Sequence, residues 1–270
     1  MPAAQCTPIR GSEAQPYVKR PTRCTNLSPE CVRPVQSRVI SAILFGIQMR
    51  LAPTLLALAL SAVTLIAQQP GVHPVSGRVY ARTMSVDGAP WLERREREDE
   101  ENPDLALRLL RIKKGATVAD IGAGSGYITL RMAKIVGPMG KVYASDIQAG
   151  MLTLLQQNMA RAKVDNVVPV LGTFADPKLP ADSIDLAIMV DVYHEFSEPQ
   201  KMLQRIRTAL KADGRLVLLE YRAEDPKVPI LPDHKMTKAQ VEQELEHEGF
   251  KQSRVYDDLP WQHLFIFTKM

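Results

Sequence analysis

Residues Val118-Ala119-Asp120-Ile121-Gly122-Ala123-Gly124-Ser125-Gly126-Tyr127-Ile128-Thr129-Leu130 run from an apolar strand into a glycine turn and straight on into a helix. That order commits the chain to a β-turn-α unit whose turn meets a ligand. Glycine reaches positive φ and lets the backbone approach a ligand closely, while the N–H groups of the turn and of the helix start bind its polar parts. A dinucleotide loop takes the spacing G-x-G-x-x-G. Here the third glycine falls at Gly126, and Tyr127 stands where the dinucleotide pattern wants glycine, so the pattern is D-x-G-x-G-x-G from Asp120 to Gly126.

From Thr117 onward apolar runs alternate with helical periodicity. Strands are predicted at about 117–121, 141–146, 167–172, 184–191 and 215–221, and helices at about 125–136, 149–163 and 198–210. A further helix at about 237–248 ends at Gly249, and two aromatic-rich strands, Phe250 to Tyr256 and Gln262 to Thr268, close the chain. Repeated β/α units imply a parallel sheet with helices on both faces. The closing hairpin is where this chain parts from a dehydrogenase domain, which would continue βαβ. Together with the glycine spacing, it resembles the class I S-adenosylmethionine-dependent methyltransferases from 117 to 268. The resemblance implies a doubly wound, seven-stranded, mostly parallel sheet ending in an antiparallel β-hairpin, a Rossmann-like methyltransferase fold.

The resemblance also assigns residues. Asp120 and the loop of Gly122, Gly124 and Gly126 would hold the methionine half of S-adenosylmethionine. Asp146 ends the second strand twenty residues after Gly126, where an acid accepts ribose hydroxyls; Ile147 would lie against the adenine. Many relatives have Gly-Asp-Ala after the third strand, but this chain has Gly172-Thr173-Phe174-Ala175-Asp176. The adenine contact then passes to backbone groups at Thr173, to Phe174, or to Asp176 if the loop folds back.

Strand C-termini of open α/β sheets face the ligand crevice. Asp191, Tyr193, His194 and Glu195, which follow the fourth strand, are therefore expected at the cofactor and its methyl acceptor. The Asp-Val-Tyr-His stretch resembles small-molecule methyltransferases, including the quinone-biosynthesis and arsenite-modifying groups. His194 is the candidate base for an acceptor hydroxyl, with Tyr193 beside it, since an imidazole titrates near neutrality; packing or capping is the other reading. No metal is expected, because Phe196-Ser197-Glu198 follows His194-Glu195 and breaks the H-E-x-x-H spacing. A metal site would have to gather Glu220, His234 and Asp191. A nicotinamide-dependent oxidoreductase and a non-catalytic S-adenosylmethionine-binding protein remain the alternatives.

Ahead of this domain, Trp91 to Glu101 reads as a solvated helix with Arg94/Glu98 and Arg97/Glu101 one turn apart. A second helix starts at Asn102-Pro103 and runs to Lys113. The two helices either cap the cofactor or pack as ordinary elements. Residues 68–90, with Pro70, Gly71, Pro74, Gly77, Gly88 and Pro90, read as a linker.

The formal charge of +4 arises in the N-terminal stretch. Seven of the 34 basic residues and two of the 30 acidic ones lie in the first 50, leaving 27 against 28 afterwards. No basic excess remains to attract nucleic acid, so the expected partner is a small-molecule acceptor. Cys6, Cys24 and Cys31 are the three cysteines, which excludes a thiolate nucleophile or a zinc–thiolate site from the core. Residues 1–48 read as disordered or as a non-native extension upstream of a start at Met49. Met49-Arg50 and the apolar run to Ala67 resemble a bacterial secretory signal peptide, with an uncleaved membrane anchor and a buried helix as rivals. If 49–67 is used, the protein is exported or anchored with its domain on the periplasmic side, away from the cytosol where the cofactor is made; otherwise it is cytoplasmic.

Overall fold

The computed structural model describes residues 71–270; the segments 1–48 and 49–67 lie outside them. A seven-stranded sheet runs in the order β3-β2-β1-β4-β5-β7-β6, built from β1 (Thr117–Ile121), β2 (Lys141–Asp146), β3 (Val167–Leu171), β4 (Ile184–Val190), β5 (Leu210–Tyr221), β6 (Phe250–Tyr256) and β7 (Gln262–Lys269). The first five strands pair in parallel, and β7 inserts antiparallel between β5 and β6. This is the expected doubly wound, mostly parallel sheet with its closing hairpin.

Central strands are apolar on both faces because helices cover both. On one face Val118, Leu186 and Val217 meet Leu107, Met132 and Leu155 of α3 (Pro103–Leu110), α4 (Tyr127–Val136) and α5 (Ala149–Ala162). On the other, Ala119, Ala187 and Leu216 meet Leu203, Ile206 and Leu245 of α6 (Pro199–Ala209) and α7 (Lys238–His247). Residue-by-residue alternation along each strand sends neighbours to opposite cores. Strand β5 starts at Leu210, earlier than its apolar run suggests, because Leu210 pairs with Ile184 ahead of a register shift.

The N-terminal helices differ from expectation. The single helix read over 91–101 is two short ones, α1 (Ala89–Leu92) and α2 (Arg97–Glu100); Arg97 and Glu101 are buried, whereas Glu98 stays exposed and pairs with Arg131 in place of the expected Arg94. Arg94 pairs with Glu100 at 2.5 Å and Glu101 at 3.0 Å, Arg97 pairs with Glu101 at 2.7 Å, and the Tyr221 hydroxyl donates to Glu101 at 2.8 Å. The i,i+4 spacing correctly matched Arg97 with Glu101 but could not show that Tyr221, 120 residues away, would roof the pair. Asn102 caps α3 as expected, accepting from the Leu105 N–H at 3.2 Å, and the helix stops at Leu110, with Arg111 left-handed at φ 48°.

Within the stretch read as a linker, residues 71–90 pack onto the domain. Val72 bridges Val79. Buried Arg78 pairs with Glu244 of α7 at 2.8 Å and donates to the carbonyl of His194 at 2.9 Å. The Ala81 N–H donates to that same carbonyl at 3.0 Å. Proline and glycine marked the turns; the partner that orders them lies 166 residues away.

Candidate functional site

The glycine turn and the C-terminal ends of β1, β2 and β4 form one wall of a cavity. Gly122, Gly124, Asp146, Ile147, Thr173, Phe174 and Asp191 all line it. Gly122 sits at φ +74°, where a Cβ would stand 2.4 Å from Val192 Cγ2. At Gly126, φ is +95° and a Cβ would meet Leu155 Cδ1 at 2.4 Å. Gly126 therefore serves the packing of α5 against the turn and lies behind the cavity wall.

Asp146 ends β2 with both carboxylate oxygens engaged by backbone: Oδ2 accepts from Gly124 N–H and Oδ1 from Gln148 N–H, each at 2.9 Å. Burial pushes its pKa up, against those hydrogen bonds. A carboxylate held this way retains acceptor capacity toward the cavity, as a ribose diol needs. Asp120 is placed differently from the sequence expectation. It is buried, does not line the cavity, and accepts from Thr129 Oγ1 of α4 at 2.5 Å. Burial raises its pKa to about 6. Its place in the fold is to tie α4 to the end of β1, fixing the turn between them.

After β3 the loop folds back, with Thr173 and Asp176 forming a bridge. The Asp176 carboxylate turns to Lys178 at 3.1 Å and does not line the cavity. Phe174, half-exposed, does. Of the three candidates for the adenine contact, Thr173 and Phe174 line the cavity and Asp176 does not.

Tyr193 does not reach the cavity. It is fully buried among the side chains packed on α6 and α7, edge-on to Phe196 at 5.5 Å and under the Arg78 guanidinium at 5.2 Å. The 3₁₀ turn over Tyr193–Glu195 points successive side chains in different directions, so neighbours in sequence part company. His194 lines a smaller adjoining cavity with Asp191, Glu195, Tyr221 and His234. Asp191, Glu195, Met84 and Leu92 line both cavities.

Within the smaller cavity, His194 Nδ1 lies 2.6 Å from Glu220 Oε2, and its Nε2 lies 3.1 Å from His234 Nδ1. Burial pushes His194 down to about 3 and Glu220 up to about 8. The imidazole is thus neutral and poorly matched to general-base work at neutral pH, where the best base has a pKa near the operating pH. Glu195 is raised to about 8 by burial. Asp191 is raised well above its usual range by burial and by the charges of Glu101 and Glu220. Asp191 Oδ2 accepts from Gln262 at 2.6 Å, whereas Oδ1 is buried with no partner among the described residues.

Several lining residues escaped the sequence reading, Met84, Leu92 and Gln148 among them. Met84 lies in the supposed linker, Leu92 at the end of α1, and Gln148 after Asp146. The Gln148 side chain donates to the Met84 carbonyl at 2.8 Å, and Arg97 donates to the Leu92 carbonyl at 2.7 Å, so the N-terminal segment is fastened over the glycine turn. Tyr127, the residue in the missing glycine's place, fastens it too: its ring lies under Arg97 at 4.2 Å and its hydroxyl donates to Glu98 at 2.7 Å.

A glycine turn, an acid ending the second strand and a roofed cavity over the strand C-termini define an α/β protein that binds a nucleoside-type cofactor. The strand order with β7 inserted between β5 and β6 sets it apart from an all-parallel dinucleotide fold. A family model described as methyltransferase domain matches residues 112–262. The chain belongs to that family, whose methyl donor is S-adenosylmethionine.

Its curated relatives include the ubiquinone/menaquinone biosynthesis C-methyltransferase UbiE of Hahella chejuensis, 30% identical over 111 residues, or 41% of this chain and 45% of that protein. The same-named protein of Escherichia fergusonii is 29% identical over 111 residues, covering 41% and 44%. The chain thus spans less than half the length of these relatives. Among solved structures, a SAM-dependent methyltransferase from Aquifex aeolicus shares the fold with a TM-score of 0.66 at 24% identity, over 70% of this chain and all of that one. A putative O-methyltransferase from Nostoc punctiforme shares it with a TM-score of 0.57 at 19% identity, over 68% and 60%.

Proposed function

We propose that this protein transfers a methyl group from S-adenosylmethionine to a small-molecule acceptor held beside His194, Glu195 and Asp191. The observation that carries this reading is the junction of two cavities at Asp191 and Glu195, one shaped by the glycine turn and one lined by polar side chains. The residues suit the donor: Gly122 and Gly124 leave room at the turn, Asp146 presents a carboxylate for the ribose, and Asp191 leaves a buried Oδ1 without a hydrogen-bond partner among the described residues. The donor supplies an electrophilic methyl on sulfonium sulfur. The protein's part is to align the acceptor opposite it and exclude water; Leu92, Met84 and Phe174 supply the apolar walls.

The quinone-biosynthesis names of the relatives support a small-molecule acceptor. Isothermal titration with S-adenosylhomocysteine tests the cofactor half: saturable binding is expected, and binding of NADH in its place would point to the oxidoreductase alternative. Turnover against quinols, phenols, amines and thiols tests the acceptor half; an absence of methylation across that panel favours a binding protein without activity. The segment 49–67 is read as an export signal or tether, and fractionation of the native host checks it.

A further inference from the structure

We propose that His194, Glu195 and His234 form a binding site for a divalent first-row transition-metal ion on the acceptor side of the cofactor cavity. One ligand atom from each lies within 4.8 Å of the others. His194 Nε2 and His234 Nδ1 face each other at 3.1 Å, sharing one proton between two nitrogens. Two imidazoles bound to one ion at about 2.1 Å each, roughly at a right angle, stand the same distance apart. An ion between and above them takes the place of that proton, and Glu195 closes the third position.

The surroundings are those of a metal ligand set. Glu220 Oε2 lies 2.6 Å from His194 Nδ1, which fixes the ring and directs Nε2 to the cavity, the carboxylate–histidine arrangement that orients metal-bound imidazoles. Glu220 is itself held, its Oε1 accepting from the Tyr193 N–H at 3.0 Å. The His194 backbone is clamped from the other side, its carbonyl accepting from Arg78 and from the Ala81 N–H. Asp191, with its unpartnered Oδ1, lines the same cavity. The nearby guanidinium charges are already matched, Arg94 and Arg97 to Glu100 and Glu101.

Two imidazoles and one carboxylate suit zinc, iron, cobalt or manganese, and leave open positions for an exogenous oxygen. Glu195 and Asp191 also line the cofactor cavity, so those positions lie on the wall between the two cavities. An acceptor with an ionisable hydroxyl would bind there as the alkoxide or phenolate, its proton released to solvent water. This last step rests on the methyltransferase reading; the metal site does not.

The test is titration of the chelator-stripped full-length protein with Co²⁺, read by its visible d–d absorption, alongside calorimetric titration with S-adenosylhomocysteine. A single saturable equivalent is expected, displaced by Zn²⁺. His234→Ala and Glu195→Gln should each weaken it by roughly tenfold or more, the range known even for loss of outer-shell partners, while cooperative thermal unfolding shows that the variants are folded. X-ray absorption of the Zn²⁺-loaded wild type should show two imidazoles, a readout independent of any variant. No saturable Co²⁺ binding, affinity unchanged in both variants, or a coordination shell without paired imidazoles overturns the site. Metal binding without S-adenosylhomocysteine binding would leave the site standing and count against the cofactor reading instead.

Discussion

The backbone N–H of Gly124 donates to Asp146 Oδ2 at 2.9 Å, joining the turn after β1 to the acid that ends β2. The two elements are neighbours because β1 and β2 pair in parallel from Thr117↔Lys141 to Ile121↔Ser145. The strand register therefore sets the distance between the part of the turn that meets one end of the cofactor and the carboxylate that meets another.

Replacing Asp146 by Ala should weaken S-adenosylhomocysteine binding by about 1.5–3 kcal/mol, the worth of hydrogen bonds to a charged group, or roughly 10- to 100-fold. Calorimetry on the folded variant checks it. Unchanged affinity would remove Asp146 from the cofactor contacts.

Gly122→Ala should lower stability, because its φ of +74° costs an L-residue about 1–2 kcal/mol and its Cβ meets Val192 at 2.4 Å. Adding Val192→Ala should recover the steric part and leave the backbone part. Denaturant unfolding of the single and double variants separates the two; no recovery would place all the cost in the backbone.

Asp120 gives a pH signature of defined sign. Its pKa is raised from 3.8 to about 6 by burial, so the fold favours the protonated form. The stability this contributes is full below pH 3.8 and is lost as the pH rises through about 6. Asp120→Asn, neutral throughout, should gain on the wild type between pH 4.5 and 7.5 by about 2 kcal/mol, at 1.36 kcal/mol per pKa unit. Urea midpoints at the two pH values measure the difference, and a constant gap would falsify the assignment.

Glu101→Ala leaves buried Arg97 and Arg94 without their shared carboxylate, a loss that costs about 3–5 kcal/mol when one partner of a buried pair is removed. Because Arg97 also holds the Leu92 carbonyl over the cavity, weaker S-adenosylhomocysteine binding should accompany the lower unfolding midpoint. A stable variant with intact binding would show that the roof is held by its apolar contacts alone.

Much of the fold was legible because its signals are local. The apolar runs of β1 and β2 gave their limits, the Asn102-Pro103 pair marked the start of α3, and three glycines within five residues marked a ligand turn. The closing strands identified the hairpin. Within the candidate site, Gly122, Gly124, Asp146, Ile147, Thr173, Phe174 and Asp191 line the cavity, since each follows a strand end or sits in the turn.

What the chain alone determined, then, is whatever follows from spacing along it: the β-turn-α unit, the order of the elements and the acids at strand ends. Tertiary structure decided what depends on residues far apart. It turned Tyr193 into the core and His194 toward His234, 40 residues on. It sent Asp120 to Thr129 and folded the proline-rich entry segment over the site through Arg78 and Glu244. Backbone propensity and hydrophobic period act over a few residues, whereas a buried charge is placed by whichever partner the packed sheet brings within reach.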